Sequence, residues 1–330
     1  MPADCSKSSC LLVSGATGFV GRNLCLAAVR RGISILAPVR DEAKLRRQMA
    51  VDGIPQDAIT ALPPDPGDWP DVSPDLAVLS AGVLFARSRE EYFETNVSWT
   101  RRVLSAVPKN CKTVMLSSQS AGGPTPDGLA AREELTPDAP LTWYGESKLA
   151  MERVVESEFS DRPITILRPP MILGARDSAT LPLFQMARGI IRTKPGLGMK
   201  HFSFLAVDDV VEAIFAASEV TERGPFYISA DRVISDIDLI ETAAQVSGGR
   251  GVTVRIPQPL VRVLSAVVDL VPAMRRATPS LTRDRAKEIW EDRWVVDSGR
   301  FQAASGWAAK VPLDAALREA FEFFRSEGKL

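Results

Sequence analysis

The 330-residue sequence has a single histidine, His201, and only four cysteines, Cys5, Cys10, Cys25 and Cys111. The cysteines lack paired CxxC spacing and no set of histidines stands beside them, which disfavours a zinc site or a disulfide scaffold and leaves reduced thiols as the expectation. One histidine, with no serine elbow of GxSxG type, gives little support to a hydrolase triad. Net charge is nearly absent: 40 Lys and Arg face 41 Asp and Glu, giving −1, so no long-range field draws in nucleic acid. No stretch reaches the roughly eighteen uninterrupted apolar residues of a bilayer span. The nearest, "PLVRVLSAVVDLVPAM" at 259–274, is broken by Arg262, Asp269 and Pro272. It reads either as a helix packed within the fold or as an apolar wall over a substrate pocket, with contact to a membrane surface left open. The N-terminus lacks a charged region followed by a long apolar run, so a secretion signal is not expected and the chain reads as cytoplasmic. Repeats and low-complexity linkers are also missing, and 45% hydrophobic with 25% charged residues is the composition of a globular protein.

What the sequence does contain is an alternation of short apolar runs with amphipathic stretches, as expected of successive βα units feeding a parallel sheet. "CLLVSGA" predicts a first strand, "GRNLCLAAVRRG" a helix ending at Gly32, and "ISILAPVR" a second strand. "DAITALPP" is a weaker third, "DLAVLSAG" a fourth, "YFETNVSWTRRVLSAV" a long helix and "KTVMLSSQS" a fifth strand. The helix through "WYGESKLAMERVV" precedes "PITILRPPMIL", a sixth strand stopped by Pro169 and Pro170, which cannot donate to a ladder. Further on, "SATLPLFQMARGIIRTKPG" reads as helical and "HFSFLAVDDVVEAIFAASEV" as a short strand leading into a helix. The expected class is α/β: a doubly wound parallel sheet over 1–170 that binds a dinucleotide, then a smaller substrate-binding lobe over 171–330, with 203–218 returning to the first unit.

The dinucleotide is expected from "SGATGFVG", which sets Gly15, Gly18 and Gly21 between the first strand and its helix. Unsatisfied N–H groups and the dipole at a helix N-terminus attract phosphate, provided no side chain blocks its approach. The spacing differs by one from the usual GxGxxG, so the flanking strand and helix carry more weight than the letters. The second strand should end beside the adenosine ribose, where an acidic residue binds the 2′-hydroxyl and an arginine accommodates a 2′-phosphate. It ends in "VRDEAK". Arg40 favours NADP, because a guanidinium forks onto phosphate oxygens, while Asp41 turned to the ribose would favour NAD.

Tyr144 and Lys148 lie one helical turn apart, a spacing that ordinarily only supports a helix surface. Beside a nicotinamide the pair has a use. A phenol can pass a proton to or from an oxygen, but its ordinary pKa of about 10 is too high for neutral conditions. A neighbouring ammonium favours the phenolate and can hold ribose hydroxyls with its three donors. Ser117, Ser118 and Ser120 follow the fifth strand at its carboxyl end, the edge where ligands bind in open α/β sheets, and offer a donor to orient a carbonyl oxygen.

Taken in order, "GATGFVG", "LSAG", Asn96 in "ETNVSWT", "LSSQSAGG", "YGESK", "LRPPMILG", "FLAVDDVVEAI" and "DSGRFQAASGWAAKVPLDAALREAFEFFR" resemble the extended short-chain dehydrogenase/reductases, the NAD-dependent epimerase/dehydratase family, over nearly the whole chain. The resemblance implies a Rossmann-type sheet, Ser118 as the carbonyl-orienting residue, Tyr144 as acid/base and Lys148 as its partner. It implies a cofactor site at Gly15, Thr17, Gly18, Phe19, Val20, Gly21 and Arg40, with Ala81 and Gly82 beneath the cofactor. Tyr144 and Lys148 would reach the ribose, Pro170 and Met171 the nicotinamide, and Asp65 the adenine. No metal is implied.

Departures from the family pattern narrow the chemistry. Dehydratases carry an acidic residue directly after the catalytic Ser/Thr, whereas Ser118 is followed by Gln119 and Ser120. Epimerases carry an asparagine in an "RYFNVYG"-like stretch, where this chain has "LRPPMILGARD". The chain is most similar to the dihydroflavonol-reductase and 3β-hydroxysteroid-dehydrogenase-like branch, where a "VRD" second strand accompanies NADPH and the substrates are apolar or aromatic. The expected function is an NADP(H)-dependent oxidoreductase interconverting a ketone and a secondary alcohol. The alternatives are a nucleotide-sugar epimerase with retained NAD and a non-catalytic dinucleotide-binding sensor or scaffold, the latter disfavoured by the intact Ser118, Tyr144 and Lys148. "LFARSREEYF", "ARDSATLPLF" and "LVRVLSAVVDL" are the pocket candidates. The partner is a small molecule, with a homodimer left open.

Overall fold

The computed structural model describes residues 9–257, 259 and 283–330. Cys5, the first residues of the stretch tested for a secretion signal, and all but Pro259 of the 259–274 segment lie outside the described residues, as does the "LVRVLSAVVDL" pocket candidate. Six strands run up to the double proline: β1 (Cys10–Ser14), β2 (Ser34–Pro38), β3 (Ile59–Leu62), β4 (Leu76–Leu79), β5 (Lys112–Leu116) and β6 (Ile164–Arg168). Beyond it come β7 (Met171–Leu173), β8 (Ile191–Pro195), β9 (His201–Phe202), β10 (Phe204–Ala206), β11 (Pro225–Tyr227), β12 (Ile234–Ser235), β13 (Val252–Ile256) and β14 (Arg293–Trp294). The helices are α1 (Phe19–Arg30), α2 (Glu42–Val51), α3 (Arg89–Phe93), α4 (Trp99–Ala106), α5 (Gln119–Gly122), α6 (Trp143–Glu158), α7 (Leu181–Ala187), α8 (Val207–Ala217), α9 (Asp236–Ser247), α10 (Arg283–Trp290), α11 (Gly299–Ser305) and α12 (Leu313–Ser326).

A seven-stranded parallel sheet runs in the order β11-β6-β5-β4-β1-β2-β3. The chain therefore winds outward from β1 in both directions, and the crevice between β1 and β4 is the point where ligands bind in such sheets. The inner strands are buried on both faces, so they read as continuous apolar runs rather than alternating ones. One face is covered by α1, α2 and α8, through Leu24, Cys25, Ala28, Leu45, Met49, Val210 and Ile214. The other is covered by α4 and α6, through Val103, Leu104, Met151, Val154 and Val155. Each such Leu or Val contributes roughly 1.5–3 kcal/mol by leaving water.

Three predicted stretches come out differently in part. In "PITILRPPMIL" the sixth strand does stop at the double proline, β6 ending at Arg168, but the residues after it form β7, which pairs with β10 in a separate sheet. Side chains on β10 alternate in direction, so Leu205 enters the first core while Phe204 and Ala206 enter a third, built with Phe184, Ala244, Leu317 and Phe324. The "SATLPLFQMARGIIRTKPG" stretch is helical only over α7; after Gly189 it becomes β8, paired in parallel with β13. The long helix through "YFETNVSWTRRVLSAV" is interrupted by a π-turn at Glu94–Ser98. Helix α8 packs beside α1, and β11 adds a seventh strand to the sheet next to β6. Among the described residues no helix is long and apolar enough to cross a membrane. Cys10, Cys25 and Cys111 are buried, and burial pushes the Cys25 thiol up to about 12 and the Cys111 thiol up to about 11, which makes both poor nucleophiles.

Candidate active site

The crevice between β1 and β4 is shaped by backbone. Gly15 holds a left-handed φ of 79°, and a Cβ placed on it would lie 2.8 Å from the backbone of Ala81 at the end of β4. A Cβ on Gly21 would lie 2.1 Å from the Gly15 carbonyl oxygen, so strand and helix meet only because both residues are glycine. Gly18 is the N-cap of α1, and no side chain occupies the cap, so the first N–H groups of a twelve-residue helix are left to an anion. Thr17 ties this turn to α2, its carbonyl accepting from Gln48 Nε2 at 3.3 Å, while Phe19 and Val20 are half-buried. A dinucleotide pyrophosphate fits this cradle, which has clearance, donors and a helix dipole.

At the end of β2 the structure separates two neighbours that sequence leaves in competition. The Asp41 carboxylate caps α2, accepting from the Lys44 N–H at 2.8 Å, while Arg40 is exposed. Asp65 also spends its carboxylate locally, accepting from the Gly67 N–H at 3.0 Å with Arg102 4.0 Å away.

On the β5 side the floor is made of buried side chains. Thr142 caps α6, accepting from the Gly145 N–H at 3.2 Å, which fixes Tyr144 and Lys148 on the first two turns. Ser118 caps the short α5 after β5, accepting from the Ser120 N–H at 3.1 Å. Burial pushes the Tyr144 phenol above its ordinary value, and hydrogen bonding with the Ser118 side chain and the Arg285 guanidinium pull it back down. Lys148 is 5% exposed; its Nζ donates to the Leu116 carbonyl at 2.8 Å and lies 3.2 Å from where a Cβ on Gly82 would be. Burial lowers its pKa to about 8, with Glu152 opposing the shift. Pro170 and Met171 follow β6, where the Pro169 carbonyl accepts from the Gln119 N–H at 2.9 Å. Sheet order and these bonds thus bring Ala81, Gly82, Ser118, Tyr144, Lys148 and Pro170 to one edge.

Several residues of this edge carry no local signal in the sequence. Asn96, fully buried in the π-turn, donates to Ser147 Oγ at 2.8 Å and accepts from the Val83 N–H at 3.0 Å, bracing the loop after Gly82 against α6. Spacing marks it only as an asparagine in the middle of a helical pattern, although it stands among the residues that carry the family resemblance. Arg285 on α10 lies 5.3 Å from the Tyr144 ring centre and 5.5 Å from that of Phe85, and pairs with Glu288 at 2.9 Å. Glu288 also accepts from the Thr142 hydroxyl at 2.8 Å, and Asp284 from the Trp143 N–H at 3.1 Å, so α10 sets carboxylates against the positive end of α6. Tyr92 stands 6.2 Å from Tyr144, ring to ring, which puts the "LFARSREEYF" segment at the site. The "ARDSATLPLF" segment sends Arg176 elsewhere, to Asp52 and Asn23 beside α1. Beneath everything Arg168, 2% exposed, is clamped by Glu152 at 2.6 Å, Asp138 at 2.8 Å and the Tyr227 hydroxyl at 3.1 Å. His201, in the β12-β9-β14 sheet, belongs to none of this.

A phenol, a serine hydroxyl and a buried amine beside a glycine cradle can bind a dinucleotide and move a proton at a carbonyl. The sequence profile of the NAD dependent epimerase/dehydratase family matches residues 11–228. The chain belongs to this family. It is an NAD(P)-dependent enzyme of the extended short-chain dehydrogenase/reductase type. A ceramide reductase from Caulobacter vibrioides is 25% identical over 96% of this chain and 95% of its own length. A 2-alkyl-3-oxoalkanoate reductase from Shewanella oneidensis is 25% identical over 95% of this chain and 86% of its own. The crystal structure of a UDP-glucuronic acid 4-epimerase from Bacillus cereus in complex with NAD superimposes with a TM-score of 0.72 at 17% identity, covering 96% of this chain and 99% of the other, a likeness of fold.

Proposed function

We propose that the protein is an NADP(H)-dependent oxidoreductase that interconverts a ketone and a secondary alcohol on a small apolar or aromatic substrate. The observation that carries the reading is the Ser118 and Tyr144 pair at the β5 edge, with Tyr92 and Arg285 beside the phenol and Phe85 against the same guanidinium. The names of the ceramide and 2-alkyl-3-oxoalkanoate reductases, both acting on lipid-like molecules, support the same substrate class.

The cofactor would be held by the Gly15 to Gly21 turn, by Arg40 at a 2′-phosphate, by Ala81 and Gly82 from below, by Lys148 at the ribose, and by Pro170 and Met171 beside the ring. When bound it would supply or accept the hydride at the substrate carbon. The chain's own part is the proton: Ser118 donates to the carbonyl oxygen and orients it, Tyr144 protonates that oxygen as it becomes a hydroxyl, and solvent returns the proton. In the reverse direction Tyr144 takes the proton as phenolate, which nearby cations favour. The diversion of Asp41 into the α2 cap supports NADP, since it leaves Arg40 as the group at the end of β2. Residues 171–330 would supply most of the substrate pocket, together with the 84–93 loop.

The test is a panel of ketones and nucleotide sugars assayed with both reduced cofactors, for the native enzyme and for Tyr144→Phe. Reduction of apolar ketones with NADPH, falling about 10²–10⁴-fold in the variant while cofactor affinity holds, is the expected result. Cofactor carried through purification, with sugar epimerised and no net oxidation or reduction, would give the site to the epimerase reading instead.

A further inference from the structure

A second feature lies away from the catalytic edge. Strands β8 and β13 form an isolated parallel pair, joined from Ile191 with Val252 to Pro195 with Ile256. Parallel pairs are normally covered on both faces. Here one face is covered: Lys194 is fully buried and ion-paired to Asp236 of α9 at 2.7 Å. The opposite face, by the two-residue alternation of a strand, presents Ile191 and Thr193 beside Val252 and Val254, and it is open. Ile191 is 60% exposed, Val252 64% and Val254 45%. Ile190, 86% exposed, extends the face at one end, where its carbonyl accepts from the Val252 N–H. Leu197 and Met199 extend it at the other, in a loop held to β13 by the Gly196 N–H and by Arg255. Six of the eleven large apolar side chains that are exposed among the described residues therefore sit on this one small element, which scattered surface hydrophobics do not explain.

Charge decides what could cover it. No Asp or Glu occurs between Asp177 and Asp208, or between Glu241 and Pro257, although the chain as a whole is balanced. Arg188 and Arg250 flank the end at Ile190, where Gly249 packs against the Arg188 backbone, and Arg255, which starts opposite Lys194, reaches the other end through a 3.2 Å bond to the Leu197 carbonyl. All three are exposed, and none has a carboxylate partner among the described residues. A second copy of this face would bring cations against cations, which disfavours self-association. An apolar patch with a basic rim suits a surface that offers both hydrocarbon and negative charge, and stable lipid attachment takes two such signals together.

We propose that the open face of β8 and β13, rimmed by Arg188, Arg250 and Arg255, docks the protein peripherally on an anionic lipid surface. The test is co-sedimentation of the full-length protein with vesicles of equal parts phosphatidylglycerol and phosphatidylcholine, against vesicles of phosphatidylcholine alone, at low and high salt. The protein should pellet with the mixed vesicles at low salt and stay in solution with the neutral ones. Partitioning should fall about tenfold or more in Ile190→Ser/Ile191→Ser/Val252→Ser, and similarly in Arg188→Gln/Arg250→Gln/Arg255→Gln. The single variant Ile190→Asp, at a position with almost nothing to unpack, should also weaken it, which guards against misfolding of the triple variants. A wild-type protein that ignores mixed vesicles, or apolar variants that bind as wild type does, would overturn the proposal. So would a dimer in the ultracentrifuge that Ile190→Asp dissolves, because the face would then belong to a second copy.

Discussion

The two halves of the sheet's carboxyl edge are made of different material. Around β1 and β2 the site is backbone: a left-handed Gly15 against Ala81, an uncapped α1, and an exposed arginine set beside a capping aspartate. Around β4 to β6 it is buried polar side chains that hold one another, Asn96 with Ser147, Lys148 with Leu116, and Arg168 with Glu152 and Asp138. The first kind excludes side chains and asks little of distant residues. The second fails when one partner goes, because a buried charge or dipole left alone has exchanged its water for nothing.

The difference predicts where stability and affinity part company. Arg168→Met leaves the Glu152 carboxylate buried without its partner, at 2% exposure, and should cost about 3–5 kcal/mol of unfolding free energy by denaturant titration. Adding Glu152→Leu should recover most of that, since removing a buried pair together is often neutral. A single variant as stable as wild type would mean that the Arg168 cluster adds no net stability to the end of β6.

On the backbone side a charge should matter to the ligand and not to the fold. Arg40→Asp touches an exposed side chain outside the α2 cap, so the unfolding midpoint should not move. Charge-assisted bonds of about 1.5–3 kcal/mol to a 2′-phosphate would be lost, weakening NADPH about 10–100-fold relative to NADH in a fluorescence titration. An unchanged ratio would remove the basis for naming NADP.

This contrast also explains how much of the fold and the site is legible in the sequence. The backbone half is local in sequence: strand, glycines and helix occupy Cys10 to Arg30, so the turn and the first six strands are legible from spacing and apolar runs. The sixth run is cut into β6 and β7 because prolines stop a ladder, while only the tertiary fold says which sheet the remainder joins. β8 escapes because Ile190 to Pro195 continues a helical rhythm, and its partner strand lies about sixty residues away in the chain. In the side-chain half, Tyr144 and Lys148 are visible as one turn of a helix and Ser118 as a strand end. Asn96, Glu152 with Arg168, and above all Arg285 act through partners distant in the chain, from 13 residues in the Val83 to Asn96 bond to 146 in the Thr142 to Glu288 bond, which no spacing rule reports.

Arg285 offers the smallest effect and the finest test of the comparison. Sequence spacing nominates Lys148 as the cation that tunes Tyr144, yet Lys148 is turned to the Leu116 carbonyl, and the guanidinium near the phenol ring is Arg285. Burial raises the phenol's pKa and Arg285 lowers it, so Arg285→Gln should raise it further. In alcohol oxidation, where phenolate is the base, activity climbs as pH rises through that pKa, and the variant's climb should begin at higher pH by up to about one unit. Arg285→Lys should restore most of the shift, because the cation returns even though the planar stacking does not. Lys148, lowered to about 8, is charged below that pH and neutral above it, so any inflection it causes near 8 should persist in both variants. A profile unmoved by Arg285→Gln, with the inflection near 8 intact, would return the tuning of the phenol to Lys148 and show that helical spacing had named the right cation.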